Sequence, residues 1–314
     1  MRRTTLRLAL LLLASAPVVA RAQGSEPSQD ELKERYAKKI AEKWYTGNPW
    51  ITEYDAALAK SKETGRPIVA YFTRSYAPCR PCAVMEGGLL SSDEFNAFAK
   101  KYVLYVNVTT RIDGRPGEDL LYRKGGRGFP YVAAMNAEGK VTAQLGVGGR
   151  NLEGFEALMK AAAEYEARQD DPIGSAQDVA RWIRFEVRVG NISPADARKL
   201  VVIGLDEESA KGIEREIADV QIAAMLLSIR SPAETPDVGK KLAVMMRDGQ
   251  VPTDSEQAED YYEAIIAYAE RDGDLDALER ALRALRRRAG DDERMMRYID
   301  EKTKVLEALK AKAK

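Results

Sequence analysis

The chain has 314 residues, 45% apolar and 31% charged, with 49 Lys plus Arg against 49 Asp plus Glu. This is a globular composition, long enough for about two domains, and neither collagen-like nor that of a disordered polyampholyte. There is no histidine and there are only two cysteines, which excludes Ser-His-Asp and Cys-His nucleophiles and His-ligated zinc or haem.

The first 22 residues read as an export signal. Arg2, Arg3 and Arg7 form a basic start, residues 8–19 are apolar, and Ala20-Arg21-Ala22 offers small residues at a cleavage site before Gln23. The apolar stretch falls short of the roughly 20 residues that span a bilayer, and no cysteine follows the site to carry a lipid. The expectation is a signal peptide over 1–22, no stable membrane anchor after its cleavage, and a periplasmic or secreted protein. Cleavage removes Arg2, Arg3, Arg7 and Arg21 but no acid, leaving 45 bases against 49 acids. Such a mildly acidic chain is a poor partner for nucleic acid, where affinity rests on neutralising phosphates. Residues 23–47 follow as an N-terminal helical segment, with an amphipathic helix over about 29–44.

Residues 48–169 alternate strands and helices. Pro67-Ile68-Val69-Ala70-Tyr71-Phe72 is a β-branched and aromatic run after the turn-like Gly65-Arg66, and reads as a buried strand. Cys79-Arg80-Pro81-Cys82 opens a helix that Gly87-Gly88 weakens, and Ser92-Asp93-Glu94 starts another. A second strand is expected over 102–108, a short helix over 118–123, and a third strand over 131–135 directly after Gly128-Phe129-Pro130. A turn at 137–140 leads to a hairpin partner over 141–145, and an amphipathic helix over 151–169 closes the unit.

Cys79 and Cys82 form the one possible disulfide. A bridge closing so short a loop contributes little as a staple, so another purpose is expected. In C-x-x-C the first sulfur stands exposed at the helix N-terminus, where backbone N–H groups and the helix dipole favour its thiolate, and the second turns inward. Pro81 is tolerated in the first turn, whose N–H groups have no intrahelical partner. A structural disulfide or inert pair with no turnover is the minority reading weighed beside it. Zinc needs four N or S ligands, and two thiols supply them only if two chains share their pairs. Asp272-Gly273-Asp274-Leu275-Asp276 lacks a calcium loop's sixth-position Gly and has Arg283 in place of the bidentate Glu, so it reads as a capping loop. No metal or organic cofactor is expected.

The order strand, C-x-x-C helix, strand, helix, Gly-Phe-Pro strand, hairpin strand, final helix resembles the thioredoxin fold over residues 48–169. Cys79-x-x-Cys82-Ala83-Val84-Met85-Glu86, with Arg115-Pro116 and Gly128-Phe129-Pro130, is similar to the thioredoxin-like domain that opens the spermatogenesis-associated protein family. That family's pattern runs C-x-x-C-H-V-M-E, then R-P, then G-G-W-P. Trp50, the segment 56–60 and Arg66-Pro67 resemble the start of exported thioredoxin-like domains of the disulfide-reductase type. The chain departs from these patterns in having Ala83 in place of His, Pro78 in place of the Trp that precedes the first Cys of thioredoxins, and Tyr71 or Thr73 where thioredoxin keeps a buried acid.

The resemblance implies Cys79 as the attacking thiol, tuned by the helix start and by Arg80, and Cys82 as the resolving thiol. It implies Pro130 as a cis-proline facing the pair, with the Phe129 backbone available to an extended substrate segment. Glu86, a turn after Cys82, is the nearest candidate proton acceptor, although it reads first as a solvated helix residue. The substrate class is a protein or small-molecule thiol or disulfide, with a further redox partner to restore the pair.

Residues 170–174 read as a linker, and 175–314 as an α-helical bundle or short solenoid. Helices are expected over about 176–189, 194–202, 207–229, 236–247, 255–271, 275–288 and 292–311, with short breaks between them. The fold class is thus an α/β thioredoxin-like fold followed by an all-α domain. The leading function is exported thiol-disulfide exchange at Cys79-Arg80-Pro81-Cys82. The alternative is a non-catalytic interaction module in which the helical domain binds a partner on a thioredoxin-like scaffold.

Overall fold

A computed structural model of the chain describes residues 27–168, 175–201, 205–253 and 255–312. The export signal expected over 1–22 and the linker expected over 170–174 lie outside these residues.

Four strands form one mixed sheet in the order β2-β1-β3-β4. They are β1 (Ile68–Arg74), β2 (Val103–Thr109), β3 (Tyr131–Met135) and β4 (Val141–Gln144). β1 runs parallel to β2 and antiparallel to β3, and β3 pairs antiparallel with β4. β1 and β2 are near-continuous apolar runs because helices cover both sheet faces, so neither side of the strand meets water.

The period-2 alternation of the strands divides the core. Val69, Tyr71, Leu104, Val106 and Val132 point to one face. There they meet α1 (Gln29–Ile40), α2 (Lys43–Thr46), α4 (Arg80–Gly87), α5 (Asp93–Ala99) and α7 (Leu152–Ala167), which contribute Trp44, Met85, Phe95 and Phe155 among others. Ile68, Ala70, Phe72, Tyr105 and Ala133 point to the other face, against α3 (Tyr54–Thr64) and α6 (Leu120–Arg123). The single helix expected over 29–44 is divided into α1 and α2. Glu42 takes an extended conformation between them, which turns Trp44 into the core, where its carbonyl accepts the Trp50 indole N–H at 2.9 Å.

Seven further helices follow among the described residues, close to the expected positions: α8 (Ala176–Arg188), α9 (Pro194–Val201), α10 (Glu207–Ser228), α11 (Thr235–Arg247), α12 (Ser255–Asp272), α13 (Leu275–Ala289) and α14 (Glu293–Lys312). α11 to α14 pack in series, each on its neighbour in sequence, over a core that includes Leu242, Tyr261, Ile265 and Leu278. Asp274 caps α13 through the Ala277 N–H, as expected of a capping loop.

The end of α8 reaches back to the sheet. Val189 is fully buried in the α3/α6 face, with Phe185 packed beside it. The approach is close enough to require two glycines. Gly125, at φ 77°, lies so near the Arg188 carbonyl that a Cβ would stand 2.2 Å from it, and Gly190, at φ 72°, has the same relation to the Arg123 carbonyl. Polar ties complete the junction. Asn191 pairs with both backbone groups of Val141, and buried Glu216 on α10 receives Arg127 and Arg188.

Candidate active site

The register Phe72 to Tyr131 sets the end of β1 beside the start of β3. The loop leaving β1 carries Cys79 and the residue preceding β3 is Pro130, so the topology brings both to one end of the sheet. Cys79 is the N-cap of α4, and its sulfur accepts the Cys82 backbone N–H at 3.3 Å. Cys79 and Cys82 are joined by a disulfide with S–S 2.07 Å and Cα–Cα 5.3 Å. Cys79 is half-buried and Cys82 fully buried, an asymmetry that leaves one sulfur accessible to a partner. The Phe129–Pro130 peptide is cis.

Two arginines hold these loops. Arg74 donates to the Pro78 carbonyl at 2.6 Å, directly before Cys79, while its guanidinium lies 5.8 Å from the Phe129 ring centre. Arg150 donates to the Pro130 carbonyl at 3.3 Å and lines a groove with Arg80, Pro81 and Val84. Arg80 is exposed in the first turn of α4 and, among the described residues, meets no carboxylate. A positive helix start with uncompensated arginines favours a thiolate once the disulfide is reduced. The sequence pointed to Arg80 but to neither Arg74 nor Arg150, because an arginine that donates to a backbone carbonyl, four residues on for Arg74 and twenty back for Arg150, leaves no side-chain pattern.

Glu86 is not a solvated helix residue. It lies on the inner stripe of α4, four residues after Cys82, and is fully buried. One carboxylate oxygen accepts the Tyr71 hydroxyl at 2.7 Å and the Thr73 hydroxyl at 2.8 Å, and the other pairs with Lys39 of α1. Burial, reinforced by the negative charge of Glu86, holds the Tyr71 phenol well above its ordinary pKa of 10, so it stays a neutral donor. The strand positions where thioredoxin has an acid thus carry hydroxyls here, and the helix contributes the carboxylate behind the second cysteine. The signal was Tyr71 and Thr73 at alternate positions of β1, facing a helix that bears a single acid.

A cleft of about 690 Å³ adjoins Tyr76 and Phe129 and is closed on its far side by the end of α10. Tyr76 packs edge-on against Phe129, with ring centres 6.5 Å apart, and carries the Arg111 guanidinium 4.2 Å from its ring centre. Arg111 has the left-handed φ of 60°. Its backbone N–H and that of Thr110 donate to Glu118, and its side chain donates to the Arg230 and Ile229 carbonyls after α10. The sequence did not reveal this contact across 119 positions.

Among the described residues no group of three or more His, Cys, Asp or Glu is placed to hold a metal. No helix among them is long and apolar enough to cross a membrane.

The thioredoxin-like family profile matches residues 49–137. A solved structure titled DsbH Oxidoreductase is 28% identical over 37% of this chain and 85% of its own, with a TM-score of 0.32. No curated protein matches the chain. Residues 49–137, with Cys79 and Cys82 at the head of their C-x-x-C helix, are therefore a domain of the thioredoxin-like family.

Proposed function

We propose that the protein is a thiol-disulfide oxidoreductase acting through Cys79 and Cys82. The observation that carries this reading is the pair itself: two sulfurs at bonding distance, one accessible at a helix start and one buried, in a thioredoxin-like domain with a cis-proline at the same end of the sheet. In the reduced protein the Cys79 thiolate attacks one sulfur of a substrate disulfide, forming a mixed disulfide and expelling a substrate thiolate. The Cys82 thiolate then attacks the Cys79 sulfur, completing the internal disulfide and releasing the second substrate thiolate. Two electrons pass to the substrate, and a thiol partner of the protein restores the pair by the reverse steps.

The remaining roles follow from placement. Arg80 supports the Cys79 thiolate through its charge. Phe129 and Pro130 present backbone to an extended substrate segment. Glu86 is a positioning residue. Its buried carboxylate ties α4 to β1 through the Tyr71 and Thr73 hydroxyls and to α1 through Lys39, which fixes the helix that carries Cys82. Export through residues 1–22, a periplasmic or secreted location, and a division into 48–169 and 175–314 belong to the same reading.

The test is disulfide exchange with Cys79→Ser and Cys82→Ser proteins, each checked for native circular dichroism. Cys79→Ser abolishes exchange, and Cys82→Ser accumulates a mixed disulfide at Cys79. Exchange that survives Cys79→Ser, or a wild type with none, overturns the reading and leaves a binding module that uses its helical surface.

A further inference from the structure

We propose that the cleft between the cis-proline loop and the end of α10 is a binding groove for an acidic, extended polypeptide segment, so that the helical region selects the substrate. This inference rests on the exchange reading above and adds the substrate class. The groove begins at Tyr76 and Phe129, which stand three residues before Cys79 and one before Pro130. A chain whose disulfide meets Cys79 extends naturally along it. Tyr122 and Leu227, each 38% exposed, face the same space from α6 and α10. Paired exposed apolar side chains on two walls suit a polypeptide's side chains.

Charge decides the kind of polypeptide. Arg111, Arg115 and Arg230 line the groove, and among the described residues none of them meets a carboxylate within ion-pair distance. Arg111 is spent on backbone carbonyls and Arg115 stacks on Tyr36 at 3.8 Å, so both are held in place with their charge uncompensated. The acids nearby are largely engaged. Glu118 accepts two backbone N–H groups and the Thr110 hydroxyl, and Asp119 pairs with Arg123. Among the described residues, Asp113 alone brings to the rim a carboxylate with no ion-pair partner. Arg80 and Arg150, also without carboxylate partners among the described residues, continue the positive surface past the cysteines. Three cations, two of them fixed, facing one free anion between apolar walls favour a segment bearing Asp or Glu around its cysteine.

The probes are two fluorescent peptides of equal length, each with a disulfide, one flanked by Glu and the other by Gln. Binding to Cys79→Ser protein is read by anisotropy, and exchange with wild type by turnover. The Glu peptide binds about tenfold tighter at about 20 mM salt, and the advantage shrinks below about twofold at about 500 mM, where screening is short-ranged. Arg230→Glu removes the preference for the Glu peptide in both binding and exchange. Exchange that is equal for the two peptides, with equal binding, overturns the groove while exchange chemistry stands. Charge-selective binding without any exchange keeps the groove and overturns the chemistry. Self-association in ultracentrifugation that the Glu peptide does not displace assigns the cleft to a second copy and also overturns the inference.

Discussion

Replacing Glu86 tests whether the carboxylate behind Cys82 organises this side of the molecule. In Glu86→Leu the Tyr71 and Thr73 hydroxyls lose the acceptor they share, and Lys39, 12% exposed, loses its counter-charge. An unsatisfied buried donor costs about 1–3 kcal/mol, and removing one member of a buried ion pair costs about 3–5 kcal/mol. Since the same groups enter both figures, the expected loss is about 3–5 kcal/mol. Glu86→Gln keeps an oxygen for the Tyr71 and Thr73 hydroxyls but turns its NH2 toward Lys39, so it loses the ion pair alone and costs less than Glu86→Leu. Urea unfolding of the oxidised protein reads the difference. With a slope of about 2–3 kcal/mol per molar, the Leu variant unfolds about 1–2 M earlier than wild type and the Gln variant lies between. A Lys39→Met, Glu86→Gln double mutant loses less than the two single changes combined, because the two groups are coupled. A Glu86→Leu protein within about 1 kcal/mol of wild type refutes the reasoning, since no fully buried carboxylate with these partners could be lost so cheaply.

Further outcomes follow from other parts of the structure. Gly190→Ala destabilises by about 2–4 kcal/mol, combining a left-handed φ with a Cβ overlapping the Arg123 carbonyl; Gly249→Ala, at a similar φ but with open space around it, costs less, and calorimetry ranks the two. Burial pushes the Glu216 carboxyl up, but Arg188, Arg127 and Arg184 hold it below its ordinary 4.5. A depressed folded value gives stability that is full above 4.5 and lost as pH falls through the folded pKa, so Glu216→Gln flattens the loss in urea midpoint between pH 5 and pH 3 expected by this linkage. After reduction, iodoacetamide labels half-buried Cys79 at least about tenfold faster than fully buried Cys82; equal rates, read by peptide mass mapping, contradict the asymmetry.

The residues that announced the fold did so through local patterns. Ile68 to Phe72 and the run ending at Val108 are apolar on both faces, and Ser92, Asn151 and Ser175 cap the helices that follow them. Cys79 to Cys82 and Phe129-Pro130 were visible for the same reason, as short strings tied to a turn or helix start. The residues around them were not. Glu86 looked like any helix acid because its partners lie 13, 15 and 47 positions away on β1 and α1. Arg150 and Arg111 bind carbonyls of distant segments and Arg74 one four residues on, and an arginine in sequence gives no sign of which carbonyl it will reach. The division of the helix at Glu42 follows from the demand of Trp44 for the core, a tertiary effect that outweighs helical periodicity.

The reduction potential of the Cys79–Cys82 couple tests the central claim most directly, by equilibrating the protein in graded glutathione buffers and counting alkylated thiols by mass spectrometry. The account predicts a reversible two-electron transition within the buffer range, with Cys79 carrying the mixed glutathione disulfide whenever one is trapped. A pair that stays in one state across the whole range contradicts it.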